Sequence, residues 1–127
     1  MKKKPASRKR TLDLDRIYAE QRRFTREREW EQFHTPKNLA MALAAEAAEL
    51  LEVFQWLTPE QSARVMKSPK QAEAVEHELS DVLYYLLRIA DLLDVDLERA
   101  FHEKMKHNAA KYPVPTSRGH AKKYLDL

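Results

Sequence analysis

A single glycine, Gly119, in a chain of 127 residues is the strongest constraint on what this sequence can fold into. Tight hairpins and bulges draw on residues that accept positive φ, and glycine is the usual supplier. The same scarcity excludes the glycine-rich phosphate loops of α/β nucleotide-binding folds. No segment alternates apolar and polar residues over a strand's length, so strands are not expected. The sequence predicts an all-α fold, and any phosphate recognition must come from metal, Lys, Arg or helix ends.

Punctuation places the helices. The first is expected from about Leu14 to Trp30, capped by Asp13 or Asp15, with Ile17, Phe24 and Tyr18 as a sparse apolar stripe. Thr35-Pro36 opens the second, a cap residue followed by proline at a position where its missing N–H costs nothing. That helix is expected to run through Trp56. Thr58-Pro59-Glu60-Gln61 and Ser68-Pro69-Lys70-Gln71 repeat the signal, each with Gln three residues after the hydroxyl as in a capping box. They predict a short turn from Pro59 to Met66 and a long helix from Pro69 to about Leu93. A fourth long helix is expected from a cap at Asp96 to Lys111, ended by Pro113. Val75, Leu79, Val82, Leu86, Ile89 and Leu93 recur at helical spacing and read as a bundle seam. Leu39, Leu43, Ala47, Leu50 and Phe54 form an equivalent stripe on the second helix.

Charge divides the chain unevenly. Lys2, Lys3, Lys4, Arg8, Lys9 and Arg10 fill six of the first ten positions, and without them 17 basic residues face 20 acidic ones. The net +3 therefore belongs to the tail. Three regions follow: a disordered basic tail over 1–11, a helical domain over 12–112 and an extended C-terminal tail over 113–127. No aromatic residue interleaves the tail's charges, which argues against a nucleic-acid-binding arm. No apolar run is long enough to span a membrane, and the N-terminus lacks a signal peptide's apolar core. The absence of cysteine rules out disulfides and thiolate metal sites and permits a cytoplasmic location.

Four carboxylates in two matched pairs carry the chemistry: Glu46 and Glu49 on the second helix, Glu78 and Asp81 on the third. Residues three apart share a helix face. Both pairs are bordered by Ala and Leu instead of the Lys and Arg partners that accompany surface glutamates. Two antiparallel helices presenting such pairs to each other build an oxygen cluster suited to Mg²⁺, a hard cation usually bound together with substrate phosphates. A di-iron bundle would need a second Glu-x-x-His beyond Glu31-Gln32-Phe33-His34, and the chain has none. Trp30 and Trp56 sit at expected helix ends, where an aromatic ring can stack a nucleobase. His34 precedes a helix cap and is a possible substrate contact. Lys104, Asn108 and Lys111 share one face of the fourth helix and are suited to anionic oxygens.

These residues resemble the all-α nucleoside triphosphate pyrophosphatases related to MazG, and within them the dCTP pyrophosphatase branch. The pattern Glu-x-x-Glu, interval, Glu-x-x-Asp is met by Glu46, Glu49, Glu78 and Asp81. Finer matches are Trp30-Glu31-Gln32-Phe33-His34, Pro36, Asn38, Phe54-Gln55-Trp56, Tyr85-Leu86, Lys104-Met105, Asn108, Tyr112-Pro113-Val114 and Ser117-Arg118-Gly119. The resemblance implies a MazG-like four-helix bundle that hydrolyses dCTP-like nucleotides between the α and β phosphates. It implies Mg²⁺ at the four carboxylates, which are also the catalytic residues. Trp30, His34 and Trp56 would line the base and sugar pocket, Tyr85, Lys104, Asn108 and Lys111 would hold phosphates, and Asn38 joins the substrate-binding set. It further implies a homodimer or a dimer of dimers with the pocket shared between chains. Ala45 and Ala48 depart from the pattern, standing where some relatives use glycine. Two alternatives stay open: a broader dNTP or phosphoribosyl-ATP pyrophosphohydrolase, and a non-catalytic helical module whose basic tail binds nucleic acid.

Overall fold

The computed structural model describes residues 10–126, and every regular element among them is helical. Lys2, Lys3, Lys4, Arg8 and Lys9 of the basic tail lie outside the described residues. We number the α-helices α1 (Leu14–Glu27), α2 (Pro36–Phe54), α3 (Pro59–Ala63), α4 (Pro69–Leu92), α5 (Leu97–Lys111) and α6 (Val114–Ser117). Short 3₁₀ turns lie at Trp30–Phe33, Val65–Lys67 and Tyr124–Asp126. The chain divides into two compact units, the first ending at Leu93 and the second beginning at Asp94.

Most of the caps form as the sequence predicts. Asp13, Thr35 and Asp96 each accept a backbone N–H three residues on, and Thr58 with Gln61 completes a reciprocal capping box. Ser68 does not cap α4. Its ψ is 116°, against 154° and 162° at Thr35 and Thr58, because its own N–H closes the preceding 3₁₀ turn on the Val65 carbonyl. The first helix also ends earlier than expected, at Glu27 instead of Trp30. Glu29 adopts φ 54°, which turns the chain and brings Trp30 back to pack edge-on against Phe24, with ring centres 5.6 Å apart. The second helix likewise stops at Phe54, short of Trp56. In the second unit, part of the stretch expected to be extended is the helical turn α6, with the last 3₁₀ turn after it. Gly119 sits between them at φ 86°.

In the first unit α2 packs along α4, and α1 lies against α4. Buried Leu39, Val65, Val75, Leu87 and Ala90 make its apolar core, together with the polar residues Gln21, Thr25 and Arg88. The expected α4 seam is only partly correct. Val75 is buried, but Leu79, Leu86 and Leu93 are 42–54% exposed. The contacts explain why: Glu78, Asp81, Tyr85 and Arg88 look toward α2 or the segment before it, and Tyr84 and Asp91 reach α1. The leucines at seven-residue spacing occupy another side of α4.

Candidate active site

α2 and α4 run antiparallel. His34, just before α2, meets Arg88 near the end of α4, whereas Glu46 and Glu49 meet Glu78 further back. This geometry turns the two sequence pairs into one cluster. Glu46, Glu49 and Glu78 bring one carboxylate oxygen each to within 4.8 Å of one another. Asp81 stands beside them, close enough for its charge to raise the pKa values of Glu46, Glu78 and Tyr85. Shielding from solvent, hydrogen bonding to Glu49 and the charges of Glu49, Asp81 and Glu78 push Glu46 up to about 7. Glu78 is raised as well, by shielding and by Glu49. Glu46 Oε2 and Glu78 Oε2 are buried without a hydrogen-bond partner. Two inaccessible, unpaired oxygens in a converging all-oxygen set fit a hard divalent cation, which would neutralise their repulsion and complete their coordination.

Glu46 and Asp81 also line a cleft of about 440 Å³, whose walls include Phe24, Trp30, Tyr84 and Tyr85. Its aromatic wall is held from behind. Tyr84 donates its hydroxyl hydrogen to Thr25 Oγ1 at 2.6 Å, and the fully buried Thr25 hydroxyl donates in turn to the Gln21 carbonyl at 2.8 Å. The Tyr84 ring packs edge-on against Phe24, His34 and Tyr85. Burial and the Arg88 guanidinium hold His34 below the usual histidine range. Arg88 is buried beside Asp91, which also takes Arg22 from α1.

Of the residues singled out from sequence, Trp30, Glu46, Asp81 and Tyr85 line the cleft, and Glu49 and Glu78 join Glu46. His34 adjoins the cleft through Tyr84. Asn38 is engaged locally: its amide donates to the Phe33 carbonyl at 3.0 Å and stitches the 3₁₀ turn to α2. Trp56 is 87% exposed just past α2 and is not among the cleft residues. Lys104, Asn108 and Lys111 lie on α5 in the second unit, where the Lys111 ammonium sits 4.7 Å from the centre of the Tyr124 ring.

Sequence reading missed Gln21. Only 5% of its surface is exposed, it lines the cleft, and neither amide atom has a hydrogen-bond partner. An unsatisfied buried polar group costs about 1–3 kcal/mol, so a side chain kept this way invites a functional explanation. One signal was present: Gln21 falls four residues after Ile17 and three before Phe24, inside the apolar row of α1.

The fold and this cleft define an all-α protein with a converging carboxylate cluster between two of its helices. The model of the MazG-like family matches residues 41–127. The chain is 48% identical to dCTP pyrophosphatase 1 of Rattus norvegicus and 44% identical to that of Homo sapiens. Each comparison runs over 115 residues, covering 91% of this chain and 66% of the relative. The chain thus spans just under two thirds of the length of these curated relatives. The crystal structure of a pyrophosphatase from Archaeoglobus fulgidus superposes with a TM-score of 0.73 at 35% identity, covering 85% of this chain and 99% of that one. This chain belongs to the MazG-like family.

Proposed function

We propose that this protein is a Mg²⁺-dependent nucleoside triphosphate pyrophosphohydrolase that cleaves dCTP or a closely related dNTP to the monophosphate and pyrophosphate. The observation that carries the reading is the opposed set Glu46, Glu49 and Glu78, with Asp81 beside it, at an aromatic cleft and holding two unpaired buried oxygens. The dCTP pyrophosphatases among its relatives support the substrate class. Glu46, Glu49, Glu78 and Asp81 would hold the metal. When bound, Mg²⁺ supplies Lewis-acid polarisation of the phosphoryl oxygens and acidifies an attacking water.

The chain's own residues do the rest. A carboxylate of the cluster that is not fully occupied as a metal ligand is suited to accept a proton from water. Phe24, Trp30 and Tyr84 offer ring surfaces to a base, and Tyr85 stands between them and the acids. Gln21 supplies polar recognition within the cleft. The phosphate role of Lys104, Asn108 and Lys111 rests on the family resemblance and on their shared face of α5. The exposed leucine row of α4, with Met41 and Leu51 each 62% exposed on α2, supports assembly into a homodimer or homotetramer. No helix of the described residues is long and apolar enough to cross a membrane, and we place the enzyme in the cytoplasm with its nucleotide pool.

The test is pyrophosphate release from dCTP with Mg²⁺, with EDTA, and in Glu49→Gln and Asp81→Asn variants. Turnover should require the metal and fall at least about 100-fold in each variant, as expected when a group stabilising transition-state charge is removed. Near-normal turnover in both variants would refute the assignment.

A further inference from the structure

A second cavity, of about 330 Å³, lies in the first unit away from the acidic cluster. Arg22, Arg26, Glu31, Arg88, Asp91 and Leu92 line it, and it shares no lining residue with the cleft of Glu46 and Asp81. Its size falls at the small end of ligand pockets, which run from roughly 300 to 1,000 Å³. Three guanidiniums face two carboxylates there, an excess of one positive charge.

The pairing inside it is lopsided. Arg22 takes both oxygens of Asp91, through Nε at 2.7 Å and through Nη2. Arg26 has only Glu31, at 3.7 Å with both side chains more than half exposed, a pair that solvent screens. Arg88 is the group left short. It is 4% exposed, and of its five N–H donors only Nε–H is hydrogen-bonded among the described residues, to His34 Nδ1. Asp91, with both oxygens already held by Arg22, lies 3.6 Å from its Nη1, outside hydrogen-bond range. A buried guanidinium is costly unless its donors are met. Neither Nη atom is sealed off without a partner, so both open onto the cavity that Arg88 lines.

A guanidinium edge with free donors matches two neighbouring oxygens of an oxyanion. A carboxylate has two oxygens and would satisfy Arg88 alone. A phosphate carries further strong acceptors and close to two negative charges, enough to reach Arg22 and Arg26 as well. We propose that this cavity is an anion site that seats a phosphate group, free or as one end of pyrophosphate, on Arg88, with Arg22 and Arg26 at its mouth. Glu31, exposed and weakly held, is the side chain that yields to it. The site is separate from the acidic cleft and stands whether or not that cleft hydrolyses dCTP. Its occupant is nevertheless felt at the cleft wall. Arg88 reaches from the cavity to His34, so an anion on its Nη edge offsets the charge that helps to hold the His34 pKa down.

The test is ¹⁵N NMR of the full chain in EDTA, titrated with orthophosphate or with pyrophosphate, against chloride at equal ionic strength. EDTA keeps metal from the carboxylate cluster, which repels anions by itself. The Arg88 Nε–H signal should shift saturably with either phosphate, at a Kd of about 1 mM or below. The His34 midpoint should rise toward 6.5 in the saturated protein. Binding of pyrophosphate about tenfold or more tighter identifies an extended ligand, and equal binding a single phosphoryl group. Arg26→Gln, an exposed change that spares the Arg22, Asp91 and Arg88 contacts, should weaken binding about tenfold or more. An unmoved Arg88 signal overturns the site, as do shifts that fail to saturate, that chloride reproduces or that persist unchanged in Arg26→Gln.

Discussion

Arg88 donates its Nε–H to His34 Nδ1 across 3.2 Å, which fixes the imidazole's tautomer. A guanidinium has no acceptor, so Nδ1 must present its lone pair and the neutral ring carries its proton on Nε2. Asp91 keeps Arg88 in place and is itself held well below the carboxylate range, chiefly by its hydrogen bond to Arg22. The loop before α2, the end of α4 and the middle of α1 are thus tied behind the cleft's aromatic wall.

The Arg88→Met variant should raise the His34 pKa without fully restoring the ordinary 6.5, because burial, the larger cause of its depression, persists. Asp91 keeps Arg22 as a partner, so the fold should survive. The sign for stability follows from the depressed value. Unfolded His34 binds a proton more readily than folded His34, so stability from this group is present above about pH 6.5 and is lost as pH falls toward the folded pKa. Titration of the His34 ring by ¹⁵N NMR checks both points. An unchanged midpoint in the variant would assign the depression to burial alone.

Glu46 obeys the opposite sign. Its pKa of about 7 lies above the 4.5 of a free glutamate, so the folded chain favours the protonated form. The resulting destabilisation is absent below about pH 4.5 and complete above about pH 7. In EDTA, Glu46→Gln should therefore exceed the wild type in resistance to urea at pH 8 and lose that advantage at pH 4. Adding Mg²⁺ should then stabilise the wild type by roughly 2.7 kcal/mol at a hundred times its Kd, for a ligand that binds only the folded state, and the variant by less. A variant less stable than the wild type at pH 8 without metal would mean that the cluster does not repel itself.

Thr25 has no exposed surface, and its hydroxyl joins Tyr84 to the Gln21 carbonyl. Thr25→Val keeps the shape and removes both bonds, leaving the Tyr84 hydroxyl without its partner. The expected loss is about 1–3 kcal/mol in denaturant unfolding, with a raised KM because Tyr84 lines the cleft. Thr25→Ser retains the hydroxyl and should keep the wild-type KM. Equal stability of the Val variant and the wild type would show that the hydroxyl contributes nothing.

The sequence made the helices legible where local chemistry decides them. The Thr35, Thr58 and Asp96 caps depend on side chains three residues from their targets, and the acidic pairs depend on the same short spacing. What escaped was decided by longer-range packing. Gln21 and Thr25 look like surface residues in a basic helix until α4 covers them and Tyr84 reaches across. Leu79, Leu86 and Leu93 have the spacing of a core seam, but α4 is apolar on several sides and periodicity does not say which side meets α2. Trp30 was read as a helix end, and the left-handed turn at Glu29 that swings it into the cleft has no glycine to announce it.

Trp56 poses the last test. It lies one residue beyond the cap of α2 and ten positions past Glu46 of the cleft, roughly 15 Å along the chain at 1.5 Å per residue. Trp56 is not among the residues that line its own chain's cleft. An indole left 87% exposed contributes little to its own chain's core, so Trp56→Ala should leave unfolding nearly unchanged. If a second copy delivers Trp56 to the cleft, the variant should instead raise KM about tenfold or more, from stacking worth roughly 1–3 kcal/mol. Co-refolding Trp56→Ala with Glu49→Gln chains distinguishes this from a local effect. A hybrid site that draws its acids from the first chain and its indole from the second is wild-type in composition. Assayed at dCTP well below KM, the mixture should exceed the average of the two parents. Activity equal to that average, in mixed oligomers verified by light scattering and mass spectrometry, would place Trp56 outside the site altogether.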